Sequence, residues 1–147
     1  MSEPQASAEY LRFESGGLVF AFPLHQIREV VPADLLVRVP KVPPCILGLA
    51  NHRGRILTVV DAVSQSTGRP PPSPRLLLLL DLPDRTLAVA AEQVEGIGPL
   101  EVHEVSGRRV ARLGDRAVTI LDAERFALGV DEAAGATEEI SRRGERP

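Results

Sequence analysis

Residues 40–61 read P-K-V-P-P-C-I-L-G-L-A-N-H-R-G-R-I-L-T-V-V-D, and this stretch decides how the chain is organised. Its prolines stiffen the approach because each fixes one backbone dihedral. An Asn-x-Arg-Gly turn follows, in which Gly54 can adopt positive φ without steric cost, and it leads into a strand over Arg55–Val60. The segment lacks the spacing of a catalytic centre. It predicts a rigid corner that displays Asn51 and Arg53 for binding.

An internal repeat relates this segment to the C-terminal part of the chain. Residues 55–62, R-I-L-T-V-V-D-A, match residues 116–123, R-A-V-T-I-L-D-A, with Arg, Thr, Asp and Ala in common and aliphatic side chains elsewhere. A weaker match relates residues 27–30 to residues 94–97. The repeat predicts two similar small barrels that share an aliphatic interface, although apolar strands also resemble one another by chance.

Short strands dominate the remaining pattern. Turn signals recur every several residues and no long amphipathic helix is evident, which predicts an all-β fold. Residues 76–80 are five consecutive leucines without alternation, as in a central strand buried on both faces. Residues 35–39 are predicted as a strand, residues 45–47 as at most one turn, and residues 62–67 as a short helix.

Three segments are predicted to lie outside regular structure or to divide it. Residues 1–8 are a polar leader, expected to be flexible. The segment R-P-P-P-S-P at 69–74 predicts a stiff linker between the two halves. Residues 122–128 are predicted as a short helix or one turn, and residues 129–147 as a disordered tail because they are charged and lack an apolar face.

The composition restricts both the core and the function. Hydrophobic residues make up 44% of the 147 residues but aromatic residues only 3%, so the core is expected to be aliphatic. The net charge of −3 disfavours a nucleic-acid binder, which would present a basic groove with stacking aromatic side chains. A small-barrel nucleic-acid binder therefore remains a remote alternative.

Catalytic and metal-binding patterns are weak. Asp61 or His52 would have to serve a hydrolase, yet neither has a partner at a nucleophile–base or paired-carboxylate spacing. Cys45 is the single cysteine and is interpreted as a small buried hydrophobe. His25 and His103 lie on distant segments with no metal-ligand spacing. The sequence predicts neither an enzyme nor a metal or cofactor site.

With these elements assembled, the chain resembles the CheW-like family, the chemotaxis coupling proteins. The family pattern of prolines before an apolar-Gly segment, then Asn-x-Arg-Gly, an aliphatic strand and Asp, matches residues 43–61. The family element aliphatic-x-Glu-aliphatic matches residues 27–30, and the resemblance covers about residues 9–128. It implies an all-β fold of two intertwined five-stranded SH3-like β-barrels with short helical turns.

The resemblance also implies a function. It implies a non-catalytic signalling adaptor that couples the cytoplasmic tip of methyl-accepting chemoreceptors to the regulatory domain of a CheA-type histidine kinase. The expected location is cytoplasmic, either free or held at the membrane through receptor arrays. Thr58 stands where the family commonly has Pro, and Ala62-Val63 where it has Leu-Arg, so a scaffold for a non-chemotactic motility or developmental pathway is the alternative. The partner-binding residues carried over are Ile27, Glu29, Gly48, Asn51, Arg53 and Gly54.

Two side-chain roles follow from the residues themselves. A guanidinium that is locked by a carboxylate presents its remaining donors in one direction, so Arg53 is expected to pair with Glu29 and to organise binding. Asn51 is expected either to bond nearby backbone or to contact a partner. Asp61 and Asp122 occupy equivalent places in the repeat and are expected to cap turns or bond nearby backbone.

Overall fold

The computed structural model describes residues 8–34, 36–67 and 73–144. A one-turn 3-10 helix spans Leu24–Gln26, and two α-helices are present, α1 (Ala62–Thr67) and α2 (Ala123–Gly144). The strands are β1 (Tyr10–Ser15), β2 (Leu18–Pro23), β3 (Ile27–Pro32), β4 (Ile46–His52), β5 (Arg55–Val60), β6 (Leu76–Leu80), β7 (Leu87–Ala91), β8 (Gln93–Gly98), β9 (Val102–Val105), β10 (Arg108–Leu113) and β11 (Arg116–Ile120).

The strands form two sheets through which the chain passes in an intertwined order. The first sheet has six strands in the order β8-β1-β2-β11-β10-β9, and the second has five in the order β3-β6-β7-β5-β4. The chain therefore leaves the first sheet after β2, builds the whole second sheet, and returns with β8. The prediction of an all-β, intertwined two-barrel fold is confirmed, with six strands rather than five in the first sheet.

The pairing pattern shows that the internal repeat is structural. In the second sheet the pairs β3–β6, β6–β7, β7–β5 and β5–β4 are antiparallel, antiparallel, parallel and antiparallel, in that order. In the first sheet the pairs β8–β1, β1–β2, β2–β11 and β11–β10 follow the same series. β3 and β8 also share a register shift, which leaves Arg28 and Glu95 as the extra residues. The matched bulges and pairings exclude chance similarity as the origin of the repeat.

The proline-rich segment does not divide the two halves. Residues 69–72 lie outside the described part of the chain, but β5 and β6 on either side of the segment both pair with β7. The chain crosses between sheets instead at residues 24–26 and at Glu92. The predicted boundary is therefore wrong, because a stiff connection can join two strands of one barrel as well as it joins two barrels.

The two repeated aspartates cap the helices that follow them. Asp61 Oδ2 accepts a hydrogen bond from the backbone N–H of Ser64 at 2.8 Å, and Asp122 Oδ2 accepts one from the N–H of Arg125 at 3.1 Å. Each carboxylate thus satisfies an N–H group that has no partner inside its helix. The expectation of capping at both positions is confirmed.

Gln26 ties the start of α2 to the crossing between the sheets. Its Nε2 donates to Asp122 Oδ1 at 2.8 Å, and its Oε1 accepts from the N–H of Ala123 at 2.7 Å. Burial raises the pKa of the Asp122 carboxyl. The hydrogen bonds from Gln26 and Arg125, together with the charges of Arg125 and Arg109, outweigh this effect and hold the pKa of Asp122 below its ordinary value.

This lowered pKa predicts a pH dependence of stability. A carboxyl whose pKa is lower in the folded state stabilises the fold above its unfolded pKa of about 3.9, and this contribution is lost as the pH falls through the folded-state pKa. We expect the free energy of unfolding to decline less steeply below about pH 4 in Asp122→Asn than in the wild type. Urea unfolding across acidic pH measures this slope. Asp115→Asn, at an exposed turn residue, serves as the control, and identical slopes for Asp122→Asn and wild type would contradict the assignment.

Among the described residues, three hydrophobic clusters stabilise the fold, and the largest joins both sheets to α2. The second lies within the five-stranded sheet and the third within the six-stranded sheet. The joint cluster contains all four phenylalanines of the chain, so the expectation of an aliphatic core is wrong at this interface. The few aromatic side chains are concentrated where two layers must be filled at once. They are Phe13, Phe20, Phe22 and Phe126.

Helix α2 continues beyond the expected end at Leu128. Val130 is 3% exposed and packs into the joint cluster, one turn past Phe126 and Ala127. Asp131 then accepts two hydrogen bonds from the Arg85 guanidinium, both at 2.8 Å. The expectation of a disordered tail from residue 129 is wrong at Val130 and Asp131, whose contacts anchor the helix, and α2 continues to Gly144.

Candidate functional site

The candidate site is built on the hairpin between β4 and β5. His52 pairs with Arg55, which leaves a two-residue loop of Arg53 and Gly54, with φ values of 52° and 78°. Positive φ at both loop residues is what a type I′ hairpin turn requires. The backbone N–H of Gly54 donates to Asn51 Oδ1 at 3.1 Å, which fixes the turn from the strand side. The expectations for Gly54 and for a backbone bond at Asn51 are confirmed.

Arg53 adopts a backbone conformation that residues other than glycine rarely take. A non-glycine residue in the left-handed region costs roughly 1–2 kcal/mol relative to its usual conformation. Such residues cluster at binding and active sites, where surrounding contacts hold them in place. Here those contacts are the hydrogen bond to Asn51 and an ion pair made by the Arg53 side chain itself.

Glu29 of β3 binds two residues of this hairpin with separate oxygens. Its Oε1 lies 3.2 Å from Arg53 Nη2, and its Oε2 lies 3.1 Å from His52 Nε2. The Arg53 side chain is 76% exposed, whereas those of Glu29 and His52 are 31% and 23% exposed. The expected Glu29–Arg53 pair is confirmed. The carboxylate holds one edge of the guanidinium and leaves its other donors facing solvent.

These side chains bridge the two edge strands of the second sheet. β3 and β4 stand at opposite ends of the strand order and share no ladder, so Glu29 reaches across an opening. Cavities of about 170 and 330 Å³ lie beside the bridge, and both are lined by Glu29, His52 and Arg53. The arrangement is an ionic bridge between two recesses at the mouth of a barrel.

Gly48 and Ile27 support the site from beneath the surface. Gly48 is buried and follows a bulge in β4, and a Cβ atom placed on it would lie 2.1 Å from the carbonyl oxygen of Val37. Ile27 is partly buried and packs against the joint cluster. Direct contact of Gly48 with a partner is therefore inconsistent with its burial; Gly48 permits a close backbone approach, and Ile27 anchors the start of β3.

Two local predictions around this corner are wrong. The segment expected to be at most one turn, residues 45–47, instead enters β4 at Ile46. Of the strand predicted at 35–39, residue 35 lies outside the described part, and among the others only Val37 pairs, as an isolated bridge to Leu49. The register shift between Ile46 and Gly48 leaves Leu47 as an extra residue and makes the start of β4 irregular.

Sequence reasoning missed two members of the site. The sequence does not assign His52 to the binding surface, but its pairing with Arg55 places it one residue before the turn, opposite Glu29. Arg28, the bulge residue, pairs with Asp81 at 2.7 Å and lines the smaller cavity. No sequence signal distinguishes Arg28, because the bulge that it shares with Glu95 is evident only in the strand pairing.

The site combines a guanidinium with two recesses. His52 beside Glu29 has the geometry of a base and its orienting carboxylate, but neither cavity wall includes a serine or cysteine in the described part of the chain. The hydroxyl of Thr86, which also lines the smaller cavity, already donates to the carbonyl oxygen of Ile56 at 2.7 Å. The exposed guanidinium and the two recesses can instead receive groups from another molecule.

The described residues contain no group of three or more His, Cys, Asp or Glu residues placed to hold a metal ion. None of their helices combines the length and the apolar character that a bilayer span requires.

Comparisons with known proteins agree with the geometry. The CheW-like domain model matches residues 9–138. Protein FrzA of Myxococcus xanthus is 30% identical over 142 residues, which cover 95% of this chain and 84% of that protein. The crystal structure of the scaffolding protein TtCheW from Thermoanaerobacter tengcongensis has the same fold, with a TM-score of 0.65 and 17% identity over 77% of this chain and 87% of TtCheW. The chain therefore belongs to the CheW-like family of scaffold and adaptor proteins.

Proposed function

We propose that this protein is a non-catalytic adaptor that couples chemoreceptors to a CheA-type histidine kinase. In this role it binds the regulatory domain of the kinase and the cytoplasmic tip of the receptors, in the cytoplasm or at the membrane within receptor arrays. Membership of the CheW-like family supports the adaptor role. The geometry around Arg53 supports a protein-binding surface at the mouth of the second sheet.

The observation that carries the proposal is the exposed but constrained Arg53 guanidinium. Its side chain is 76% exposed, yet it is held at 3.2 Å by Glu29 and rises from a turn fixed by Asn51. Ordering a long side chain costs about 0.5–1.5 kcal/mol on binding, and an arginine already held in place avoids part of that cost. A guanidinium with free donors also suits bidentate recognition of a carboxylate on a partner.

The remaining candidate residues act by positioning this arginine. Glu29 orients the guanidinium, while Asn51 and Gly54 set the turn that carries it. Gly48 and Ile27 hold β4 and β3 at the spacing that lets Glu29 reach the hairpin. We assign Arg53, together with the partly exposed Glu29 that orients it, to the contact surface and the other four residues to its support.

The test is the substitution Arg53→Ala. An exposed ion pair contributes only about 0–1 kcal/mol to stability, so we expect the melting temperature to change by no more than a few degrees. Binding of the kinase regulatory domain should weaken by roughly 30-fold or more, as for an interface hot spot. Isothermal titration calorimetry with the purified domain, and separately with a receptor-tip fragment, measures this loss.

Two matched variants make the result specific. Arg53→Asn retains a residue that tolerates positive φ but removes the guanidinium, so it should lose binding as Arg53→Ala does. Arg112→Ala removes an exposed arginine from β10 and should bind like the wild type. Binding retained by Arg53→Ala would refute the proposal, even if the variant were much less stable than the wild type. Binding of the kinase without any response to receptor would retain the adaptor role and reject the chemotactic assignment.

A further inference from the structure

A second recess, on the first sheet, carries an unusual concentration of positive charge. It has a volume of about 540 Å³ and lies between the β9–β10 turn, β11 and the start of α2. Arg108, Arg109 and Arg125 line it, and we call it the arginine cavity. Leu18 and Leu121, which are only partly buried, form an apolar part of its wall.

The three arginines of this cavity lack the ion pairs found elsewhere in the molecule. Within the described part of the chain none of them forms an ion pair, as is also true of Arg55 and Arg112, although the charges of Arg109 and Arg125 act on Asp122. The one acidic residue of the wall is Asp122, and its oxygens accept hydrogen bonds from Gln26 and from the Arg125 N–H. Three cations against one anion leave the wall with an excess of two positive charges.

The single carboxylate of Asp122 does not neutralise three arginines, so the wall keeps a net positive charge that an anionic ligand would offset. The net charge of −3 means that carboxylates outnumber cationic side chains in this protein. None of the described carboxylates forms an ion pair with these arginines. The charge pattern is therefore complementary to a ligand that brings its own carboxylates. The partly buried leucines add a surface on which an apolar side chain of that ligand can pack.

We propose that the arginine cavity is a second docking surface and that it binds an acidic segment of a partner protein. The carboxylates of that segment pair with Arg108, Arg109 and Arg125, and an apolar side chain next to them covers Leu18 and Leu121. The cavity belongs to the six-stranded sheet, whereas Arg53 projects from the five-stranded one. The two surfaces can therefore hold different partners, or different parts of one partner, at the same time.

The wall favours a peptide over a small phosphorylated ligand. It combines arginines from β10 and α2 with apolar side chains from β2 and the end of β11, so the contact area is extended rather than a single point. Its guanidiniums stand on two separate elements, which suits carboxylates spaced along a chain. A nucleic acid would meet repulsion from the negative charge of the whole protein.

The experiment uses the full chain and a fluorescein-labelled peptide in which glutamate alternates with leucine, with a glutamine–leucine peptide as the uncharged control. Fluorescence anisotropy gives the dissociation constants, and backbone amide chemical shifts locate the peptide. We expect Arg108→Gln, Arg109→Gln and Arg125→Gln each to weaken binding roughly two- to fivefold, and the triple variant roughly tenfold or more. Added salt should weaken binding because exposed charges are screened.

The controls separate this surface from the first one. Arg112→Gln, which removes an exposed arginine of the same strand from outside the cavity wall, should bind like the wild type, and so should Arg53→Ala. Thermal melting confirms that each variant is folded. Equal binding of the glutamine peptide, shifts confined to the Arg53 side, or an affinity for inorganic phosphate in place of the peptide would each overturn the proposal. None of these results depends on whether a CheA-type kinase is the partner at Arg53.

Discussion

Replacing Phe13 with alanine is expected to lower the free energy of unfolding by about 3–5 kcal/mol, the range for truncating a buried phenylalanine. Phe13 is fully buried in the cluster that joins both sheets to α2. Its ring centroid lies 5.5 Å from that of Phe20 and 5.9 Å from that of Phe22. The substitution therefore removes aromatic contacts and leaves a cavity between two layers that are both fixed by their own ladders. Domains of this size have only about 5–15 kcal/mol of total stability, so the loss is a large share.

Urea denaturation followed by circular dichroism measures this change. Leu128→Ala, at a 60% exposed position of α2, is the matched control and should change stability by no more than about 0.5 kcal/mol. Because the cluster includes residues of both sheets, wild type and variant should each unfold in one transition. A loss of less than about 1 kcal/mol for Phe13→Ala, or two separate transitions in the wild type, would show that the sheets do not depend on a shared core.

Gly48→Ala is expected to be nearly as damaging, although it adds only one methyl group. The new Cβ would lie 2.1 Å from the Val37 carbonyl oxygen and 3.0 Å from Arg38 Cα, so the backbone itself must move. Val37 is held there by two hydrogen bonds with Leu49, each 2.8 Å long. Overpacking of this kind costs about 1–3 kcal/mol, and disruption of the Val37–Leu49 bridge adds to it.

The measurement for Gly48→Ala is again the free energy of unfolding, with Gly107→Ala as its control. Gly107 has a φ of 78° and no atom within 4 Å of its would-be Cβ, so its substitution carries conformational strain without a clash. Gly48→Ala should lose more stability than Gly107→Ala, and it should also weaken partner binding because β4 carries the Arg53 hairpin. Equal losses of unfolding free energy in the two variants would show that residues 36–44 move to accommodate the methyl group.

Much of this architecture can be read from the sequence because local rules decide it. The strand over Arg55–Val60, the unbroken leucines of β6 and the Gly54 turn each depend on neighbouring residues, and all three are found as expected. The Glu29–Arg53 pair can be proposed because two short patterns, at residues 27–30 and 51–54, lie on either side of a turn-rich segment and suggest a common surface. The internal repeat predicts a second barrel, because one barrel of half the chain would bury too little apolar surface by itself.

The features that were missed depend on contacts between distant segments. Nothing local shows that Val130 would meet the joint cluster or that Asp131 would pair with Arg85, so α2 could not be extended from its sequence. The prolines at 69–74 indicate a stiff connection, but they do not show which strands it joins. The concentration of all phenylalanines in one cluster likewise follows from the packing of the two sheets, which composition does not reveal.

The parallel pairing of β2 with β11 has a consequence for synthesis of the protein. Val19 lies opposite Val118, a separation of 118 − 19 = 99 residues. During translation the hairpin of β1 and β2 therefore lacks its neighbouring strand β11 until these residues have been synthesised. At about 5–20 residues per second this delay lasts roughly 5–20 s, in which Phe20 and Phe22 lack their final covering. The five-stranded sheet, by contrast, is complete once Ala91 has left the ribosome. We therefore expect the nascent hairpin, rather than the Arg53 region, to be the part of the chain that holdase chaperones bind.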